Sequence, residues 1–185
     1  MDRSKIIADK AGQYSKAKEF VDPQGFVNFD SFKLSDLAGK KVVLIDFWTY
    51  SCINCIRTIP YLNAWYEKYK DLGLVIVGVH TPEFDFEKDI NSVSKAVKDF
   101  GIKYPVVLDS NYGTWIAYNN NYWPAEYLVD IDGFVVHSKF GEGNYDETEK
   151  IIQGALAERG EALGLNTSIP KDMANPDGAI SVSPF

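Results

Sequence analysis

Cys52 and Cys55 are the only two cysteines among the 185 residues of this chain, and two residues separate them. Residues 42–48 before the pair form a largely apolar run, as in a buried strand, and residues 56–69 after it carry apolar side chains at helical spacing. Two thiols at the junction of a strand and a helix are typical of a dithiol that undergoes exchange with disulfides.

The position of each cysteine predicts its chemical role. A thiol attacks a disulfide only as its thiolate, and an ordinary cysteine, with a pKa of about 8.5, is mostly protonated at neutral pH. Cys52 starts the predicted helix, where unpaired backbone N–H groups and the positive end of the helix dipole are expected to lower its pKa. We therefore predict that Cys52 attacks the substrate and that Cys55, one turn further on, resolves the mixed disulfide.

Two other uses of a cysteine pair fit the sequence less well. A structural disulfide across so short a loop would add little stability, because it removes little chain entropy from the unfolded state. A zinc site would need His80 and His137, the only histidines, and their spacing does not fit a zinc finger, in which roughly 12–15 residues separate the ligand pairs. We therefore expect no metal and no cofactor.

Composition disfavours several classes of function. The net charge of −7 argues against a nucleic-acid partner, which requires a basic surface, and gives no support for binding to anionic lipid. No apolar run approaches the ~20 residues of a membrane-spanning helix, and residues 1–8 lack the apolar segment of a signal peptide. The chain as given is expected to be soluble, either as a cytosolic protein or as a domain cut from a longer exported one.

Apolar patterns along the rest of the chain predict the elements that position the cysteines. Strands are predicted at residues 42–48, 74–80, 104–108, 125–129 and 134–140, and helices at 52–71, 87–100, 113–118 and 145–159. A short helix near residues 15–20 and a hairpin of residues 25–29 with 31–34 are expected before them. This order predicts an α/β fold with a central mixed β-sheet flanked by helices and an N-terminal β-hairpin extension.

The same order, with Cys-x-x-Cys after the first core strand, resembles the thioredoxin fold. Within that fold, the sequence Asp-Phe-Trp-Thr-Tyr-Ser-Cys-Ile-Asn-Cys at 46–55 resembles the DipZ-like members of the TlpA-type thiol–disulfide oxidoreductases. Three further segments resemble those proteins in the same order along the chain: residues 80–84, 122–128 and 140–143. The resemblance implies a thioredoxin-like domain at residues 25–160, an N-terminal extension at 1–24 and a C-terminal tail at 161–185.

The resemblance also implies roles for single residues. Cys52 matches the exposed nucleophile of the family, and Cys55 matches the buried resolving thiol. Pro124 matches a cis-proline that faces the dithiol and leaves the preceding backbone open to a substrate strand. Asp46 matches a buried carboxylate that assists deprotonation of the resolving cysteine, and desolvation is expected to raise its pKa. Asp46 as a purely structural acid and Pro124 as an ordinary trans-proline remain the alternatives.

Four residues near the dithiol are candidates for substrate binding: Trp48, Tyr50, Trp123 and Glu83. The three aromatic side chains could instead belong to the core, and Glu83 could be a solvated loop charge. Thr58 stands where many TlpA-type reductases carry a glutamate, three residues after the second cysteine. Acid–base chemistry would therefore fall to Asp46 or Glu83.

These features predict a thiol–disulfide oxidoreductase that mainly reduces disulfides in protein substrates. A disulfide oxidase or isomerase would use the same residues at a higher reduction potential, and a binding module without turnover would not need both cysteines. A peroxidase is less well supported, because it needs a peroxide-reactive cysteine with activating residues of its own. The resemblance implies a membrane protein as electron donor and an extracytoplasmic location, periplasmic or membrane-tethered.

Overall fold

The computed structural model describes residues 2–177 and 179. Its six-stranded sheet has the order β1-β4-β3-β2-β5-β6. The strands are β1 (Gly25–Val27), β2 (Val42–Trp48), β3 (Leu74–His80), β4 (Val106–Leu108), β5 (Ala125–Val129) and β6 (Val135–Phe140). The α-helices are α1 (Arg3–Gln13), α2 (Ile53–Tyr69), α3 (Ile90–Asp99), α4 (Gly113–Ala117) and α5 (Tyr145–Ala162). The predicted α/β fold with a mixed sheet is confirmed.

Strand β2 lies in the middle of the sheet, and all seven of its residues are buried. It pairs in parallel with β3 and antiparallel with β5. Because successive side chains of a strand point to opposite faces, Leu44 and Trp48 pack with α2 and α5, whereas Ile45 and Phe47 pack in a second core on the other face. The dithiol therefore lies at the carboxyl end of β2, above the first of these cores.

The predicted N-terminal β-hairpin is wrong. Residues Gly25–Val27 pair antiparallel with Val106–Leu108 of β4 instead of with residues 31–34. Asn28 turns the chain here with a positive φ of 71°, and its amide donates to the carbonyls of Ile102 and Tyr104, both at 2.9 Å. These bonds tie the segment to the chain that enters β4, so that β1 extends the main sheet.

The helix expected near residues 15–20 is also misplaced, since α1 covers Arg3–Gln13 and contributes no buried residue. Ion pairs hold α1 against the rest of the fold. Lys10 Nζ lies within 2.9 Å of one carboxylate oxygen each of Asp130, Asp132 and Glu158. The three carboxylates are close enough together to hold a metal ion, but the Lys10 ammonium already occupies the space between them.

Helix α5 runs to Ala162, so the predicted tail at 161–185 begins inside it. Ile169 and Ala174 pack against the core, and the backbone N–H of Ala174 donates to Glu149 at 2.7 Å. Residues 178 and 180–185 of the tail lie outside the described residues, and the domain boundaries at 25 and 160 stay predictions. None of the helices in the described part of the chain has the length and apolarity to cross a membrane.

Candidate functional site

Cys52 and Cys55 lie at the amino end of α2, as predicted. Cys52 is the N-cap residue in an extended conformation, and its Sγ accepts a hydrogen bond from the backbone N–H of Cys55 at 3.3 Å. Cys52 is half-buried, whereas Cys55 is only 1% exposed. Both are free thiols, so the structure corresponds to the reduced dithiol with one accessible and one buried sulfur.

The surroundings of the two thiols shift their pKa values in opposite directions. A hydrogen bond from the Cys55 side chain, with help from the backbone N–H groups of Cys55 and Asn54, lowers the pKa of Cys52 to about 7, against the opposing effect of partial burial. Burial, the hydrogen bond to Cys52 and the nearby Asp46 raise the pKa of Cys55. Cys52 is thus partly a thiolate at neutral pH, while Cys55 holds its proton.

Asp46 lies on β2, on the same face as Leu44 and Trp48, and is 2% exposed. Its Oδ1 has no hydrogen-bond partner among the described residues. Burial is the main reason why the pKa of Asp46 lies well above its usual range, and the charge of Glu126 raises it further. The shift has the predicted direction and cause.

Trp48 does not fit its predicted role in binding substrate. Its side chain is 1% exposed, and its ring packs edge-on against His80 at 5.1 Å between centroids. A residue in this position supports the site from below and cannot touch a substrate at the surface.

Tyr50 lies at the rim of the site, half-buried, with its ring stacked on His80 at 5.6 Å. Its hydroxyl donates to the carbonyl of Phe86 at 3.2 Å. The ring of Phe86 is 61% exposed and stacks in parallel with that of Phe84. Phe84 and Phe86 thus form an exposed aromatic surface in the loop between β3 and α3, and Tyr50, two residues before Cys52, contacts it.

The peptide bond between Trp123 and Pro124 is cis, as predicted. Pro124 is buried, and Trp123 is half-buried. The indole of Trp123 packs against that of Trp115, with ring centroids 4.2 Å apart, and donates from Nε1 to the carbonyl of Thr81 at 3.0 Å. Trp123 is therefore fixed in one orientation just before β5.

Glu83 is exposed, and its charge acts on Cys52 by opposing the loss of the thiol proton. Glu83 is therefore close enough to the dithiol for its charge to act on Cys52, and its side chain is accessible to solvent or to a binding partner. Of the eight residues predicted for the site, Glu83 is therefore the charged one at the surface.

Glu87 is a buried carboxylate beside the dithiol that the sequence analysis did not single out. Its Oε1 accepts from the hydroxyl and the N–H of Ser51, at 2.5 and 3.3 Å, and its Oε2 accepts from the N–H groups of Glu83 and Phe84 at 2.6 and 2.9 Å. It thereby joins the residue before Cys52 to the aromatic loop. A glutamate that lies near a helix start gave no sequence signal that separates it from an ordinary cap.

Replacing Glu87 with glutamine is expected to loosen both segments. A glutamine offers one accepting oxygen in place of two charged ones, and hydrogen bonds to charged groups are worth about 1.5–3 kcal/mol. We expect Glu87→Gln to lower the free energy of unfolding by roughly that amount, measured by urea denaturation, and to change the alkylation rate of Cys52. Glu83→Gln, on the exposed face of the same loop, is the matched control and should leave stability unchanged; equal stability of the two variants would contradict the role of Glu87.

Glu126 and Lys139 are two further site residues that the sequence analysis missed. Glu126 is 1% exposed and lies directly opposite Asp46 in the pairing of β2 with β5. Lys139 lies opposite Glu126 on β6, with Nζ 3.6 Å from Glu126 Oε1. The sequence does contain a signal for Glu126, since this glutamate stands within a five-residue strand that is otherwise uncharged.

Comparison with known proteins gives consistent matches. The model of the AhpC/TSA family matches residues 13–138. Protein DipZ of Mycobacterium tuberculosis is 49% identical over 155 residues, which are 83% of this chain and 22% of that protein. Thiol-disulfide oxidoreductase YkuV of Bacillus subtilis is 33% identical over 122 residues, 66% of this chain and 82% of that protein. This chain therefore spans about a fifth of the length of DipZ but most of the length of YkuV.

Comparison with solved structures also finds thioredoxin-like proteins. A thioredoxin-like protein determined in solution in its oxidized form superposes with a TM-score of 0.71 at 29% identity, over 78% of this chain and 97% of that one. The predicted similarity to the thioredoxin fold and to DipZ-like proteins is confirmed.

Proposed function

The chain belongs to the AhpC/TSA family and is a thioredoxin-like thiol–disulfide oxidoreductase; from that premise we propose that it acts mainly as a reductase of disulfides in protein substrates. The observation that carries this proposal is the pairing of an accessible Cys52, with a pKa of about 7, with a buried and protonated Cys55. Such a pair can attack a disulfide and then release the product.

In the first step, the Cys52 thiolate attacks one sulfur of the substrate disulfide. A disulfide between Cys52 and the substrate forms, and the other substrate sulfur leaves as a thiolate that takes up a proton. The thiolate is available because the hydrogen bonds at the helix start stabilise its charge. A pKa near the ambient pH is also the best compromise between the fraction of thiolate and its intrinsic reactivity.

In the second step, Cys55 loses its proton and attacks the sulfur of Cys52. The internal disulfide forms, and the second substrate sulfur is released as a thiol. Asp46 is the proposed proton acceptor, because its carboxylate lies close enough to both thiols for their charges to interact. A raised pKa suits a group that takes and returns a proton near neutral pH.

Substrate binding is proposed for the surface around Cys52. Tyr50 and Trp123 are half-buried aromatic residues, and Glu83 adds an exposed charge. Pro124 is proposed to present the preceding backbone to an extended segment of the substrate. Trp48 is assigned a supporting role, because its burial places it beneath this surface.

The environment of Cys52 supports the reducing direction. Strongly oxidising sites of this chemistry hold their thiolate with a pKa of about 3.5, whereas thioredoxin has about 7. The two residues between the cysteines, Ile53 and Asn54, carry no charge that would stabilise the thiolate further. An oxidase or isomerase with the same residues is the alternative that this comparison disfavours.

An electron donor must restore the dithiol after each cycle. The similarity to DipZ, a much longer protein, supports the proposal that a membrane protein outside this stretch of chain supplies the electrons, on the extracytoplasmic side. The substrate is proposed to be a protein with an accessible disulfide.

The reduction potential of the Cys52–Cys55 pair tests the direction. We expect tryptophan fluorescence in thiol redox buffers to give a value near or below that of thioredoxin, about −270 mV. A value toward about −120 mV would identify an oxidant and overturn the proposed direction. The chain has four tryptophans. Trp48 packs in the same core cluster as Cys55, so its fluorescence should report the redox state of the pair.

A further inference from the structure

Glu126 and Lys139 join Asp46 in a buried row of side chains beneath the dithiol. Asp46 on β2 lies opposite Glu126 on β5, which in turn lies opposite Lys139 on β6. Side chains at opposite positions of neighbouring antiparallel strands project from the same face, with Cβ atoms about 4.5–5.5 Å apart. One residue from each of three strands therefore contributes to a continuous row, which we call the charged row.

The charged row is closed off from water. The side chain of Lys139 is 9% exposed, and its Nζ lies 4.7 Å from the centre of the Tyr145 ring. Neither oxygen of Glu126 has a hydrogen-bond partner within the described part of the chain, and the same holds for Asp46 Oδ1 and Lys139 Nζ. Coulombic interaction within the row is thus the main means by which these groups are stabilised.

Because the charged row is buried, its net charge determines which protonation state is favoured. With both acids ionised, the row carries one net negative charge; with a single proton shared between them, it is neutral. Because an uncompensated buried charge is strongly disfavoured, the state with one proton is favoured at neutral pH. Lys139 approaches Glu126 most closely, so the negative charge is best placed on Glu126 and the proton on Asp46.

The other groups around the row do not replace Lys139 as its cation. Burial lowers the pKa of His137, which keeps this neighbour on β6 largely neutral at neutral pH. The remaining titratable groups that face the row or adjoin it are neutral or acidic: Cys52 and Cys55 at the amino end of α2, Tyr104 before β4, Tyr145 on α5, and Glu142, which is paired with Arg57. The row therefore works as a unit of two acids and one cation.

We propose that Glu126 and Lys139 are positioning residues that determine when Asp46 can take the proton of Cys55. Asp46 accepts a proton only when it is ionised. The charge of Glu126 disfavours that state, and the charge of Lys139 favours it. This inference rests on the proposed dithiol exchange, whichever its net direction.

The pKa directions agree with this arrangement. The pKa of Asp46 is raised by burial first and by Glu126 second, while Lys139 opposes both effects. The pKa of Glu126 is also raised by burial and lowered by Lys139. The two acids titrate as a coupled pair.

A two-phase reaction with the small disulfide dithiobis(nitrobenzoate) tests the proposal separately from reductase function. The Cys52 thiolate attacks the reagent, forms a mixed disulfide and releases one coloured thiolate. Cys55 then loses its proton to Asp46, attacks the Cys52 sulfur and releases a second coloured thiolate. Two electrons pass from the two thiols to the reagent, and the second phase reports the resolving step alone.

We expect the two variants to move the pH midpoint of the second phase in opposite directions. Glu126→Gln removes the neighbouring negative charge and should shift the midpoint down by about one pH unit, while Lys139→Met should shift it up by about one. On the rising part of the profile, each shift changes the rate at fixed pH about tenfold. Shifts in the same direction, or no shift in either variant, would overturn the proposal.

The matched control is a second ion pair, between the buried Glu149 and the half-buried Lys68, whose Oε1 and Nζ are 3.0 Å apart. Glu149→Gln and Lys68→Met should lower stability and leave the midpoint in place; if they shift it equally, the effect is not specific to the row. Carbon NMR of the unaltered chain, labelled at the carboxyl groups, keeps the test independent of how well the variants fold. Asp46 and Glu126 are expected to respond at the same two midpoints, and independent single titrations would contradict the coupling.

If the measured reduction potential identified an oxidant, only the proposed direction would be wrong, and these midpoint shifts would still be expected. If the second phase were absent altogether, the proposed dithiol exchange itself would fail. The two failures are therefore distinguishable.

Discussion

The Cys55→Ser variant is expected to remain covalently bound to disulfide-containing proteins through Cys52. The half-buried Cys52 still attacks, but the serine hydroxyl in place of the buried thiol cannot displace the substrate sulfur. Nonreducing electrophoresis of the variant after incubation with a protein such as insulin should show covalent complexes that a strong reductant cleaves. We expect this result because the two sulfurs have different exposure and opposite pKa shifts.

The companion variant, Cys52→Ser, is expected to form no such complexes and to reduce insulin no faster than the buffer does. Cys55 is 1% exposed, and its raised pKa keeps it protonated. Complexes that form through Cys55 in the Cys52→Ser variant, or none in Cys55→Ser, would contradict the assigned order of attack.

The Asp46→Asn variant is expected to fold more stably than the unaltered chain while exchanging disulfides more slowly. Asp46 is buried, and its Oδ1 is unpaired within the described residues. Removal of the buried acid should raise the free energy of unfolding by about 1–3 kcal/mol above neutral pH. Loss of the proton acceptor should slow the resolving step on the order of a hundredfold at pH values high enough to ionise Asp46.

The stability gain should depend on pH with a definite sign. The folded state holds the Asp46 proton to higher pH than the unfolded state, whose carboxyl has a pKa of about 3.9. The unaltered chain therefore loses stability as the pH rises from the unfolded pKa through the raised folded pKa. The advantage of Asp46→Asn should be smallest near about pH 4 and largest in mild alkali.

Urea denaturation at several pH values measures this difference. Asp130→Asn is the contrasting control, because Asp130 is equally buried but accepts two backbone hydrogen bonds and pairs with Lys10. That variant should lose stability. An Asp46→Asn variant that is less stable at every pH would show that Asp46 is a structural acid.

Strong periodic patterns made most of the fold predictable. The buried runs at 42–48 and 74–80 required strands, and the spacing after Cys52 required a helix, so the geometry around the dithiol followed from the sequence. The hairpin failed because Asn28 forms its bonds with the carbonyls of residues far along the chain. Local patterns carry no information about such a partner.

The site was predictable where a residue is defined by its distance from the cysteines along the chain. Asp46 and Pro124 came from matching segments, whereas Glu126, Lys139 and Glu87 acquire their neighbours only through strand pairing and loop packing. Trp48 illustrates the opposite error. This aromatic residue is near the dithiol in sequence, but it belongs to a strand that is buried on both faces.

The charged row also has a consequence for how the sheet assembles. Sliding β5 by one residue along β2 would turn Glu126 to the opposite face, where Phe47 and Tyr127 pack among other aromatic rings. A carboxylate placed there without a cation would cost several kcal/mol. We therefore expect the native register of β5 on β2 to be favoured over this alternative, so the groups proposed to control proton transfer also help to specify strand alignment.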